Sequence, residues 1–172
     1  ENNKGIKGSG YTTEEEVMNK IADVVEERLK KNHITVYRNK PTMTSKGAIY
    51  DSNKYDVDLH LAIHSNASPN RKKGRYSGVE TWIYDETCIE AEKIAQKLQD
   101  AIVDIYYNKY GDRGVLYSVD IGGLGETDPN KVTNGILMEL AFHDNWNDAI
   151  WMIQNIKKIG TTIADTIIDY YQ

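Results

Sequence analysis

The stretch Tyr55-Asp56-Val57-Asp58-Leu59-His60-Leu61-Ala62-Ile63-His64-Ser65-Asn66-Ala67 alternates polar and apolar residues up to Ile63. In an extended chain this sets Asp56, Asp58, His60, Ala62 and His64 on one face and Val57, Leu59, Leu61 and Ile63 on the other. The pattern predicts a strand that delivers His64 to its C-terminal tip, where an imidazole entering Ser65-Asn66-Ala67 can serve a cleft. A second run, Gly135-Ile136-Leu137-Met138-Glu139-Leu140-Ala141-Phe142, is apolar except for Glu139. A lone carboxylate in such a strand has to be neutral, paired or close to a cation. The two runs together point to metal-assisted hydrolysis, with Glu139 as general base beside a metal.

The flanking sequence fixes the class of fold. Thr13-Glu14-Glu15-Glu16 is a capping box with Thr13 as N-cap and Glu16 three residues on, and it opens a helix striped with Val17, Met18, Ile21, Ala22, Val24, Val25 and Leu29. After the Lys31-Asn32-His33 turn, Ile34 to Tyr37 is a β-branched strand ended by Lys40-Pro41. A short helix over Ser45 to Ser52 leads into the His64 strand. A polar loop, Ser65 to Ser77, precedes a strand over Gly78 to Tyr84 and a helix over about Thr87 to Tyr107. Residues 111–131 hold five glycines and no sustained period, which predicts a strand fragment and loops. The Glu139 strand and a helical tail, Asp148 to Tyr170 with a break near Lys158, close the chain. Strands alternating with helices predict an α/β fold: a mainly parallel twisted sheet with helices on both faces.

Composition bounds the function. A chain of 172 residues with 27% charged and 40% apolar side chains suits one globular domain over residues 1–172. A net charge of −5 with scattered signs, the cluster Arg71-Lys72-Lys73 with Arg75 being only a local loop patch, argues against nucleic acid as partner. No apolar run approaches the ~20 residues of a membrane span. The lone Cys88 forms no internal disulfide and leaves the redox compartment open.

Five further positions are weighed for metal chemistry beside Glu139 and His64. His60 shares the face of His64 but lies about four strand rises, ~13 Å, away, too far to share an ion held at ~2 Å. In the first turn of the helix Glu16 is the cap, Glu14 sits over the middle of the apolar stripe and Glu15 at its edge, so a ligand is Glu15 or Glu14. His143, four residues past Glu139, is a loop histidine, a supporting donor or a ligand.

These residues resemble the zinc-dependent N-acetylmuramoyl-L-alanine amidases of bacterial autolysins, sporulation enzymes and phage endolysins. Glu15-Glu16-Val17-Met18-Asn19 is similar to the Glu-x-x-x-Asn of that family's first helix, and on this resemblance Glu15 is the zinc-binding glutamate. Ala62-Ile63-His64-Ser65-Asn66-Ala67 is similar to a Ser-Ile-His-x-Asn-Ala block whose histidine binds zinc. Gly78-Val79-Glu80-Thr81, Arg113-Gly114-Val115 and Leu137 to Asn145 match three further blocks, the last carrying the catalytic glutamate, here Glu139. Five blocks in the family's order are far more specific than any one of them.

The resemblance implies zinc as cofactor, held by Glu15 and His64, and peptidoglycan as substrate. Water activated at the metal would cut the amide between N-acetylmuramic acid and L-alanine, with Glu139 moving its proton. It also implies an opening strand ending in a Gly-His-Gly loop, which is missing here: the chain opens at Glu1-Asn2-Asn3, with Asn2 near the position of the expected first zinc ligand. The third donor is then His143, a preceding residue or water. Expected with this reading are a monomer in the extracellular wall space, as host autolysin or phage lysin, joined to a separate wall-binding module. The alternatives are a degenerate amidase fold that binds wall glycopeptide without cutting it, and a related zinc exopeptidase.

Overall fold

In the first helix, α1 (Glu14–Lys31), Thr13 adopts extended angles and its hydroxyl accepts from the Glu16 amide, as the capping box predicts. The computed structural model describes residues 3–69 and 74–172; Asn2 and the basic cluster at 71–73 lie outside the described residues. α1 turns Val17, Met18, Ile21, Val25 and Leu29 inward. Ahead of it the backbone makes one isolated bridge, between Lys4 and Thr13. Residues 34–37, expected as a strand, join no sheet. Ile34 and Val36 lean on the core, while the Arg38 guanidinium is drawn to α1 by the Asn19 side-chain oxygen at 2.7 Å. A cleft of about 960 Å³ is lined by this segment, by α1 and by residues 55–64.

The remaining elements are α2 (Ser45–Ser52), β1 (His60–Asn66), β2 (Val79–Ile83), α3 (Ile89–Ile105), β3 (Asp112–Tyr117), a 3₁₀ turn over Ser118–Ile121, β4 (Gly135–Phe142), α4 (Trp146–Gln154) and α5 (Ile156–Tyr171). β1 starts at His60, although the alternation begins at Tyr55. A strand needs a neighbour, and β4 reaches only as far as Gly135, the partner of His60; just before it, Asn134 turns away with φ 42°. The helical tail breaks at Asn155 rather than near Lys158.

The strands lie in the order β1-β4-β2-β3. β1 with β4 and β2 with β3 are parallel, and β4 meets β2 antiparallel, so the α/β class and the mainly parallel sheet are as expected. Strand parity sends Ile63, Met138, Leu140, Val79 and Ile83 toward α1, α3 and α5, and this layer is the core. Burying each such side chain contributes about 1.5–3 kcal/mol. α1 and α5 touch closely at Gly160, where a Cβ would stand 2.8 Å from the Ile21 carbonyl oxygen. The opposite face carries His60, Ala62, His64, Leu137, Glu139, Glu80 and Trp82, and here α2 meets the sheet through Ser52, 2.9 Å from the His60 ring. Among the described residues no helix is long and apolar enough to cross a membrane.

Asp148 joins the C-terminal side of this sheet to α3 and α4. Fully buried, it accepts from the Tyr106 and Tyr107 hydroxyls at 2.5 and 2.7 Å. Its other oxygen accepts from the Phe142 and Gly78 amides at 2.9 and 3.2 Å. Asp148→Asn puts an amide donor against two of these donors. We expect it to lower stability by about 3 kcal/mol or more, read from the urea midpoint; a change under ~1 kcal/mol would show that the clamp is not structural.

Candidate active site

The register of the sheet assembles the site. β1 sets His64 opposite Glu139 of β4, and antiparallel β2 sets Glu80 opposite Glu139 from the other side. Three chemistry-bearing side chains thus form a row on one face, spaced by the ~4.8 Å between strands. The first turn of α1 then adds a fourth. Glu14 Oε1 lies 3.0 Å from His64 Nδ1 and accepts from the Ser65 amide at 3.1 Å. Glu14 Oε2 accepts from the Asn3 side chain at 2.6 Å.

The structure therefore brings Glu14, not Glu15, to His64. The Glu14 side chain is 16% exposed, whereas Glu15 is exposed. The cause is the wheel: Glu14 sits over the stripe that faces the sheet, and one residue further the backbone has turned by about 100°.

The charges are coupled. Burial alone would raise the Glu14 carboxyl, but hydrogen bonds from His64, Asn3 and Ser65 together hold it below the ordinary carboxylate range. Burial would lower His64, yet the hydrogen bond to Glu14 and the charges of Glu139 and Glu14 keep it above its ordinary value. Glu139 is pushed up to about 8, first by burial and then by the charges of Glu14 and Glu80, against the opposing pull of His64. Among the described residues its Oε2 is buried without a hydrogen-bond partner. A carboxyl so placed has a free oxygen with which to exchange a proton.

His143 is elsewhere. It is buried, its Nδ1 lies 3.1 Å from both the hydroxyl and the carbonyl oxygen of Ser65, and its ring stacks on Tyr11 at 5.8 Å between centroids. Tyr11 in turn bonds the same Ser65 hydroxyl at 2.5 Å. This cluster braces the strand end behind His64. Residues that sequence reasoning left without a role surround Glu80: Asn66, Trp82 and Arg113 all donate to its carboxylate. The alternation that exposed His64 also placed Asn66 two residues on, which was the available signal.

Among the described residues, no three His, Cys, Asp or Glu side chains converge as an ion site. His64 and Glu14 nevertheless suit zinc. They pair an imidazole with a carboxylate at 3.0 Å, close to the ~3.3 Å edge of a tetrahedral shell with ~2 Å bonds.

The family model described as N-acetylmuramoyl-L-alanine amidase matches residues 1–169. This is a class of hydrolytic enzymes acting on the bacterial cell wall, and the chain belongs to this amidase family. No curated protein matches the sequence. The N-acetylmuramoyl-L-alanine amidase from Clostridium difficile 630 superposes with a TM-score of 0.79 at 24% identity, covering 99% of this chain and 90% of that one. The amidase AmiC2 of Nostoc punctiforme gives 0.77 at 17% identity, covering 98% and 89%. Cwp6 from Clostridium difficile gives 0.76 at 24% identity and covers all of this chain but 27% of that longer one.

Proposed function

We propose that this amidase hydrolyses the bond between the lactyl group of N-acetylmuramic acid and L-alanine, with His64 and Glu14 as the two protein ligands of a zinc ion and Glu139 as general base. The observation that carries this reading is the partnerless buried oxygen of Glu139, one strand from the His64–Glu14 pair. Zinc, when bound, supplies a Lewis acid for the scissile carbonyl and lowers the pKa of water toward ~7. Glu139 takes the proton of the attacking water as its oxygen joins the carbonyl carbon. As the carbon–nitrogen bond breaks, the same carboxyl passes that proton to the departing amine. The Ser65 amide and Asn3 hold the Glu14 carboxylate in place from two sides.

A further donor is best sought beside Asn3, whose carbonyl oxygen accepts from the Glu14 amide at 2.9 Å. Water is the other source, since the bonds of His143 go to Ser65. The reading places the protein at the cell wall, as autolysin or phage lysin. Similarity to a fraction of Cwp6 fits a catalytic portion joined to a wall-binding module.

The test is release of new amino termini from purified peptidoglycan. Activity should appear with zinc, vanish with a chelator and return when zinc is restored. If walls release nothing even with excess zinc, a wall-binding role without cleavage takes the place of this reading.

A further inference from the structure

Two of the resembling blocks, Gly78-Val79-Glu80-Thr81 and Arg113-Gly114-Val115, take no part in the hydrolytic step, yet the sheet joins them. β2 and β3 slip register between Val79, paired with Asp112, and Thr81, paired with Val115. Asp112 is held on the helix side by Gln99 at 2.7 Å. The next residue, Arg113, is thereby carried to the face of Glu80 and Glu139, and its Nε donates to Glu80 Oε2. The guanidinium lies 5.2 Å over the Phe142 ring. Its stem rests on Gly78, at φ 116°, where a Cβ would come within 3.0 Å of Arg113 Cδ.

Glu80 asks for less than this. Its side chain is 4% exposed, and Oε1 already accepts from Asn66 at 2.7 Å and from Trp82 at 3.0 Å. One N–H from Arg113 completes it. The Arg113 side chain remains 37% exposed, and among the described residues its two terminal nitrogens meet no acceptor. A guanidinium pinned at Nε, backed by a ring and left with its fork free is built to take a planar oxyanion through two parallel hydrogen bonds.

Position limits what that anion is. From Glu139 to β3 is two strand spacings, ~10 Å, or two to three residues of extended peptide. On the wall glycopeptide the lactyl carboxyl is consumed in the bond being cut, so free carboxylates lie on the peptide side only. We propose that Arg113 binds a free carboxylate of the stem peptide, carried by the residue after L-alanine. The peptide then runs across β2 and β3 while the sugar lies toward β1. The proposal rests on the amidase reading and adds a polarity to the cleft.

Two substrates test it: muramoyl-L-alanyl-D-glutamate and the same compound with both carboxylates converted to amides. For the acid, Arg113→Ala should raise KM about 10-fold or more with kcat within about two-fold; for the diamide, KM should stay unchanged. Arg113→Lys keeps a cation for Glu80 but has one nitrogen for two tasks, so it should lose most of the preference for the acid while its Tm stays near that of the parent. If Arg113→Ala does not fold, the lysine variant decides. Equal KM for both compounds in the parent, or an unaltered preference in Arg113→Lys, overturns the proposal. Calorimetric Kd values for both compounds on Glu139→Gln give the same comparison without turnover. Failure of the parent to cleave either compound, with the acid still bound more tightly, would sink the amidase reading alone.

Discussion

Glu139→Gln should abolish wall hydrolysis, by at least ~10²-fold in kcat, and at the same time make the metal-free protein more stable at neutral pH. The first effect follows from removing the group that moves the proton. The second follows from its burial. The Glu139 carboxyl sits at about 8 in the folded chain against an ordinary value of 4.5. Above the lower of these values the unfolded chain releases a proton that the folded chain keeps. Folded stability therefore falls as pH rises through this window, and the whole loss is present above the upper value. Glutamine cannot ionise and escapes the loss, which at pH 7 is worth about 3 kcal/mol. Urea midpoints of parent and variant should converge near pH 4 and separate toward pH 8. Near-parent lysis by the variant would remove Glu139 from the mechanism, and parallel stability curves would show that folding does not raise the carboxyl's pKa.

The second large effect separates neighbouring glutamates. On the proposed ligand set, Glu14→Ala should cost zinc binding and with it activity, as should His64→Ala, because each removes one of the two proposed side-chain donors. Glu15→Ala, on an exposed side chain, should keep both, as should Glu16→Ala and His33→Ala. Metal content after dialysis is the readout. Stoichiometric zinc in Glu14→Ala together with its loss in Glu15→Ala would return the role to Glu15. Asn2→His should slow the loss of zinc to a chelator if the backbone ahead of Asn3 supplies the further donor, whereas His143→Ala should not alter it.

The row of His64 and Glu139 was legible in the sequence because it depends on strand parity and on one carboxylate in an apolar run, both local signals. α1 was equally legible from its cap. The Glu14 assignment shows where resemblance and geometry part: the spacing to Asn19 favoured Glu15, while the helical wheel already placed Glu14 on the buried stripe. Beyond Asn66, the clustering around Glu80 could not be read, because it needs the pairing of β2 with both β4 and β3, and nothing local specifies a register slip opposite Glu80. Residues 34–37 misled for the same reason. Their β-branched pattern is a strand pattern, but a strand exists only where a neighbour accepts its hydrogen bonds.

The placement of β4 also governs how the chain must fold. β4, late in the sequence, is the interior strand between β1 and β2, which precede it by some 50 residues or more. Until residues 135–142 arrive, β1 has no partner in the sheet and the pair β2–β3 is detached from it. Insertion of a late central strand joins both halves in one event, and closing such long loops makes that event slow. A chain cut short before residue 135 would hold His64, Glu14, Glu80 and Arg113 on disconnected pieces, so hydrolytic competence arrives all at once, with the strand that begins at residue 135.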